Sequence, residues 1–151
     1  VVEIVQPTAA HVDELAANLR AADRWELMCS GHTDHRKAIA DSLGYSTHMA
    51  TVLIDGRVAA IFGLVPLSLV TGVAAPWLLG TDLVTQNRRA LMRVAPAYIA
   101  AMARAYPHLI NLVHAENEFA VRWLRRAGFT LHAPEPHPST GHPFHRFEMK
   151  A

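Results

Sequence analysis

The dipeptide Asp55-Gly56 most constrains what this chain can become, because it stands between two β-rich runs, Thr47 to Ile54 and Arg57 to Val65. A two-residue hairpin turn needs positive φ at both positions, which Asp tolerates and Gly adopts freely. The two runs are therefore antiparallel neighbours. Upstream, Val1 to Val5 is a short β-branched run ended by Pro7, and Thr8 caps a helix carrying Val12, Leu15, Ala16 and Leu19 at helical spacing. Two more helical pieces follow: Asp23 to Cys29, which groups Trp25 with Met28, and Asp34 to Leu43, which the pattern ends at Gly44.

Downstream of the hairpin, Pro76 to Val84 is another apolar run and reads as a strand. Asn87 to about Tyr106 is helical, with Leu91, Val94, Tyr98 and Met102 on one side, and Pro96 predicts a kink or a fresh start inside it. Leu109 to His114 is a buried strand. Asn117 caps a helix with Phe119, Ala120, Trp123 and Leu124 that stops at Gly128, and Phe129 to His132 resumes as strand. Ala133 to Pro143, rich in Pro, His, Ser and Gly, reads as an exposed loop, and Phe144 to Lys150 alternates like a last strand. This order predicts one α/β domain over residues 1–151, a mixed sheet with helices on both faces.

Composition narrows the function. Lys and Arg number 14 against 13 Asp and Glu, a net charge of +1, so nonspecific nucleic-acid binding is not expected. The most apolar stretch, Val58 to Val70, is broken by Gly63 and Pro66 and falls short of the roughly 20 residues a membrane helix requires. These features predict a protein of the cytoplasm without a membrane partner. Cys29 is the only cysteine, and there are ten histidines. Cys29, His32, Asp34 and His35 form one set of potential ligands, and His132, His137, His142 and His145 another. Neither has a recognised zinc spacing, so no metal is assigned from the sequence.

Within NEFAVRWLRRAGF, the residues Asn117, Ala120, Gly128 and Phe129 match a pattern usual in the C-terminal half of GNAT acetyltransferases, which this chain resembles. The phrases IFGLVPL, PWLLGTD, NLVHAEN and RWLRRAGF together are similar to a phage and prophage family of GNAT-like proteins that includes internal virion and head-assembly proteins of podophages. The resemblance implies a GNAT-like acyl-CoA N-acyltransferase fold, with a central, mostly antiparallel sheet and helices on both faces. It also implies phage structural proteins as partners, and a location in the bacterial host cytoplasm or in the virion.

Catalytic GNAT proteins hold the diphosphate of acetyl-CoA on a glycine-bearing loop at a helix start, where bare N–H groups and the helix dipole face the phosphates. Here TQNRRALMR follows Leu83 and Val84, with Arg89, Leu91 and Arg93 at the glycine positions. A tyrosine that commonly protonates the departing thiolate is replaced by Leu124, which has no proton to give. The resemblance thus implies an assembly or interaction protein without a cofactor, its old cleft filled by side chains. The alternative is an active N-acetyltransferase with an open cleft between strands at Leu83 and Leu112. In that case acetyl-CoA would meet Leu83, Val84, Arg88, Arg89 and Asn117, and the base would come from Glu116, Asp82 or His114 near the strand ends. Each also has a plain structural role: Asn117 as a cap, Glu116 beside a helix start, Asp82 and His114 as partners of main-chain groups. Arg88, Arg89, Arg93, Arg122, Arg125 and Arg126 suggest a basic face on two late helices.

Overall fold

The computed structural model describes residues 1–151. The elements are β1 (Val2–Val5), α1 (Ala9–Ala17), α2 (Ala21–Cys29), α3 (His35–Tyr45), β2 (Thr47–Ile54), β3 (Arg57–Ser68), β4 (Val73–Gly80), α4 (Asp82–Gln86), α5 (Arg88–Ala105), β5 (His108–His114), α6 (Glu118–Arg126), β6 (Thr130–Leu131), β7 (Glu135–Pro136) and β8 (Pro143–Lys150). The strands form one sheet in the order β1-β2-β3-β4-β5-β8-β6, with β7 also paired to β8. Every pairing is antiparallel except β4 with β5.

The hairpin forms as its turn demands. Asp55 and Gly56 have φ of 49° and 80°, and Ile54 pairs with Arg57. Alternation along β3 then supplies both faces of the sheet. Ile61 joins Val12, Leu15, Leu19 and Ile39 beneath α1 and α3. Ala60, Phe62 and Leu64 join Leu91, Met102, Val121 and Leu124 beneath α5 and α6. Helices thus cover both faces, as the element order predicts.

Three boundaries differ from the sequence reading. Gly44 does not end α3, which continues to Tyr45; Ser46 ends it, its hydroxyl donating to the Ser42 carbonyl at 2.6 Å. The strand read as Pro76 to Val84 is β4, which begins at Val73 and stops at Gly80, leaving Leu83 and Val84 in the short helix α4. Pro96 starts no new helix: α5 runs through it, and the break falls earlier, at Asn87. Pro96 is exposed, so the carbonyl four residues back that loses its donor lies on a side water can reach. The segment from Ala133 to Pro143 also holds more order than a plain loop, since β7 pairs with β8 within it.

Candidate functional site

Strands β4 and β5 pair only at Val73 with His108 and Ala74 with Leu109, then separate. The sequence explains where. His108 donates its main-chain N–H to the Gly72 carbonyl, and continuing a parallel ladder in that register would require an N–H from residue 76. Residue 76 is proline, which has none. Beyond it the strands diverge, and the Asn111 side chain spans the start of the gap: its Nδ2 donates to the Pro76 carbonyl at 2.9 Å, while its Oδ1 accepts the Leu112 N–H at 2.7 Å.

The splay opens into a cavity of about 620 Å³, walled largely by apolar side chains including Trp77, Leu78, Leu112, Tyr98, Phe119 and Trp123. Side chains therefore do not fill the cleft, contrary to the expectation attached to an assembly role; the lost ladder keeps it open. Leu78 adds a polar element to this wall. Thr81 donates to Ala59 on β3, whereas Gly80 donates to Asp23 and the Pro76 carbonyl faces Asn111. Main-chain groups alternate sides along a strand, so those of Leu78, like those of Pro76 and Gly80, turn toward the splay.

Arg20, Asp23, Glu26 and Asn117 form the polar end of the cavity. Asp23 Oδ1 accepts from Arg20 at 2.8 Å and from Asn117 Nδ2 at 3.3 Å, and its Oδ2 accepts the Gly80 N–H at 2.8 Å. Glu26 Oε1 accepts the His114 N–H at 2.8 Å and a longer bond from Asn117 Nδ2 at 3.4 Å. Burial raises the Asp23 carboxyl above the ordinary carboxylate range, although Arg20 and the donors work in the other direction. Burial likewise pushes Glu26 up to about 7, and the neighbouring Asp23 charge adds to the rise. A carboxyl that titrates near neutrality at a cavity wall can exchange a proton under physiological conditions.

The turn after β4 has a different character. The main-chain N–H of Thr81 goes to Ala59, that of Leu83 to Thr81 Oγ1, and that of Val84 to the Thr81 carbonyl. Asp82 puts a carboxylate in the first turn of α4. A Cβ built on Gly80 would lie 2.5 Å from the Val84 side chain, so the one glycine here admits the α4 side chain rather than a ligand.

Of the residues singled out in the sequence, Asn117 lines the cavity and also caps α6, its Oδ1 accepting from Ala120 at 3.4 Å. Val84 and Leu83 line or approach the core: Val84 is buried and Leu83 packs against it. Asp82, Arg88 and Arg89 are exposed around the α4 and α5 starts. His114 is buried, with Nδ1 accepting the Glu116 N–H at 3.2 Å, while the Glu116 side chain is exposed. The structure brings His114 and Glu116 together and keeps Asp82 apart from the cavity wall. Sequence reading missed Arg20, Asp23 and Glu26. The signal available was two carboxylates at i and i+3 in DRWE, which share a helix face.

Solved structures share this architecture over nearly the full chain. RimL, a ribosomal L7/L12 α-N-protein acetyltransferase in complex with coenzyme A, is 14% identical with a TM-score of 0.71, over 99% of this chain and 93% of that one. An acetyltransferase from Salmonella typhimurium that modifies the N-terminal serine of L7/L12 is 15% identical with a TM-score of 0.72, over 99% and 95%. The ribosomal-protein-S18-alanine N-acetyltransferase from Escherichia coli is 14% identical with a TM-score of 0.66, over 99% and 94%. No protein-family profile and no curated protein sequence matches the chain. The fold is the GNAT acetyltransferase fold, and identities this low establish the fold alone.

Proposed function

We propose that this GNAT-fold chain acts by binding a protein partner, as an assembly or interaction protein of the phage type its sequence resembles, and does not transfer acetyl groups from acetyl-CoA. The observation that carries this reading is the turn after β4. A coenzyme diphosphate needs free N–H groups and positive potential at a helix start. Here the N–H groups of Thr81, Leu83 and Val84 are already bonded within the chain, and Asp82 adds a negative charge. The α4 start thus does not fit the coenzyme's phosphates. At the α5 start, where TQNRRALMR places the family's glycine positions, no side chain caps the helix and no acid stands in its first turn, but Arg89, Leu91 and Arg93 put side chains where glycine leaves the main chain bare. Leu124, buried at the position of the usual tyrosine, offers no proton to a leaving thiolate. Along the cleft, Asn111 occupies the Pro76 carbonyl and the Leu112 N–H, and Asp23 and Glu26 occupy the N–H groups of Gly80 and His114.

One observation favours the alternative, an active N-acetyltransferase: the cleft is open at about 620 Å³ and keeps Glu26 on its wall. In that reading Glu26, rather than Glu116, Asp82 or His114, is the group placed to take a proton from an amine, and Arg88 and Arg89 replace the main-chain phosphate cradle through their side chains.

Calorimetric titration with acetyl-CoA and with CoA separates the two. The interaction reading expects neither heat nor thermal stabilisation at millimolar ligand. Micromolar binding, about 8 kcal/mol, overturns it in favour of the enzyme. Mass spectrometry of purified phage particles then tests the virion role directly: the chain copurifies if it is a virion component.

A further inference from the structure

Cys29 ends α2, His114 ends β5, and His142 lies just before β8, so no two are near one another in sequence. The fold nonetheless brings one ligand atom from each to within 4.8 Å of the others. Cys29 and His114 are each 1% exposed. Nε2 of His114 is buried without any hydrogen-bond partner, an arrangement that is unfavourable if nothing comes to meet it. His142 is held above them by its own loop. Thr140 donates its hydroxyl to the Cys29 carbonyl, His137 donates its N–H to the His142 carbonyl at 2.7 Å, and the Trp25 and His142 rings meet in a T-shaped arrangement with centroids 5.7 Å apart.

We infer that Cys29, His114 and His142 form a three-ligand site for a divalent transition ion of the zinc class, with a fourth position open to water. Thiolate with imidazole is the donor set that zinc takes, whereas magnesium and calcium take oxygen. Ligand atoms around tetrahedral zinc stand roughly 3.5 Å apart, so the three must draw together by about 1 Å, within reach of a rotation of His142 on its loop. On binding, the Cys29 thiol becomes a thiolate and its proton leaves to solvent. His114 ligates through Nε2 as a neutral imidazole with its proton on Nδ1, so the 3.2 Å bond from the Glu116 N–H to Nδ1 gives way. The Glu116 carboxylate belongs to the residue whose own N–H already lies 3.2 Å from Nδ1. It is the acceptor at hand for the new Nδ1–H, the arrangement in which a carboxylate orients a metal-bound histidine. Glu116 is thus a positioning residue, and the ion fastens the loop before β8 to α2 and β5.

The test is titration of the chelator-treated, full-length chain with cobalt(II), read by absorbance. The expected result is one equivalent bound with a thiolate-to-cobalt charge-transfer band and tetrahedral d–d bands. Cys29→Ser removes the charge-transfer band. His142→Ala, a change on the loop before β8, abolishes the tetrahedral spectrum. Glu116→Gln weakens cobalt binding roughly 10- to 100-fold, and His32→Ala leaves the spectrum unchanged. A cobalt spectrum without a thiolate band, or one that persists in His142→Ala, overturns the site.

Discussion

Asp23 and Glu26 lie one helical turn apart on α2, and each accepts a main-chain N–H from a different strand of the splay, Gly80 for Asp23 and His114 for Glu26, both at 2.8 Å. Asn117 donates to both carboxylates. The sheet loses its β4–β5 ladder at Pro76, and α2 rejoins the far ends of the two strands through side chains. The cleft is therefore a closed frame, tied by sheet hydrogen bonds and Asn111 at one end and by two acidic residues at the other.

Removing one tie leaves buried groups without partners. Asp23→Ala strands the Arg20 guanidinium, 8% exposed, and leaves the Gly80 N–H unbonded. Loss of one member of a buried ion pair typically costs about 3–5 kcal/mol. Urea denaturation at neutral pH is expected to show a loss of that size, with Asp23→Asn in between because its amide oxygen still accepts from Gly80. A loss below about 1 kcal/mol would mean that water replaces the carboxylate.

Glu26 sets a pH dependence of known sign. Its carboxyl rises from 4.5 to about 7 on folding, so between those values the folded chain binds more protons than the unfolded one. Stability then falls as pH rises through that window. Glu26→Gln keeps an oxygen for the His114 N–H and removes the titration. The variant should match the native chain below about pH 4.5 and exceed it by roughly 3 kcal/mol at pH 8. Paired denaturation curves across pH check this, and a gap independent of pH refutes it.

Gly63 faces a crowded corner. A Cβ there would sit 2.9 Å from both Ser46 Oγ and Trp77 Nε1, the two atoms that share a 2.8 Å hydrogen bond. Gly63→Ala must push these apart, and overpacking of this kind costs about 1–3 kcal/mol. Thermal unfolding followed by tryptophan fluorescence reads both the lower Tm and the displaced Trp77, and an unchanged Tm would show that the corner relaxes freely.

What could be read from the sequence was local. The Asp55-Gly56 turn and the Thr8 and Asn117 caps each act within a few residues, and each forms as read. The end of β4 is harder to read: Gly80, Thr81 and Asp82 offer a helix-start signal, and Thr81 does cap α4 by accepting from Leu83, but the apolar Leu83 and Val84 beyond it resemble a continuing strand. Gly44 misled because a glycine signals a helix stop only in the left-handed region, and it has no positive φ here. Asp23 and Glu26 were visible as acidic residues in a helix, but their partners stand on strands far along the chain. Cys29 and His142 fell into two separate sequence clusters for the same reason.

Glu148 offers a last measurement, at the other end of β5. Its carboxylate is held between His108 Nε2 at 2.7 Å and His132 Nε2 at 2.9 Å, joining β5, β8 and the segment after β6. Hydrogen bonds from His108 first and His132 second hold the carboxyl below its usual range. A carboxyl depressed on folding stabilises the chain above its unfolded pKa, and that contribution disappears as pH falls through the folded value. Glu148→Gln should therefore be less stable than the native chain at neutral pH, with the difference closing as the pH drops below the ordinary carboxylate range. Glutamine retains one acceptor oxygen, so one histidine loses its partner, and hydrogen exchange at the β5–β8 amides is expected to rise where that histidine lies. Equal stability of the two chains at neutral pH would mean that solvent screens the clamp completely.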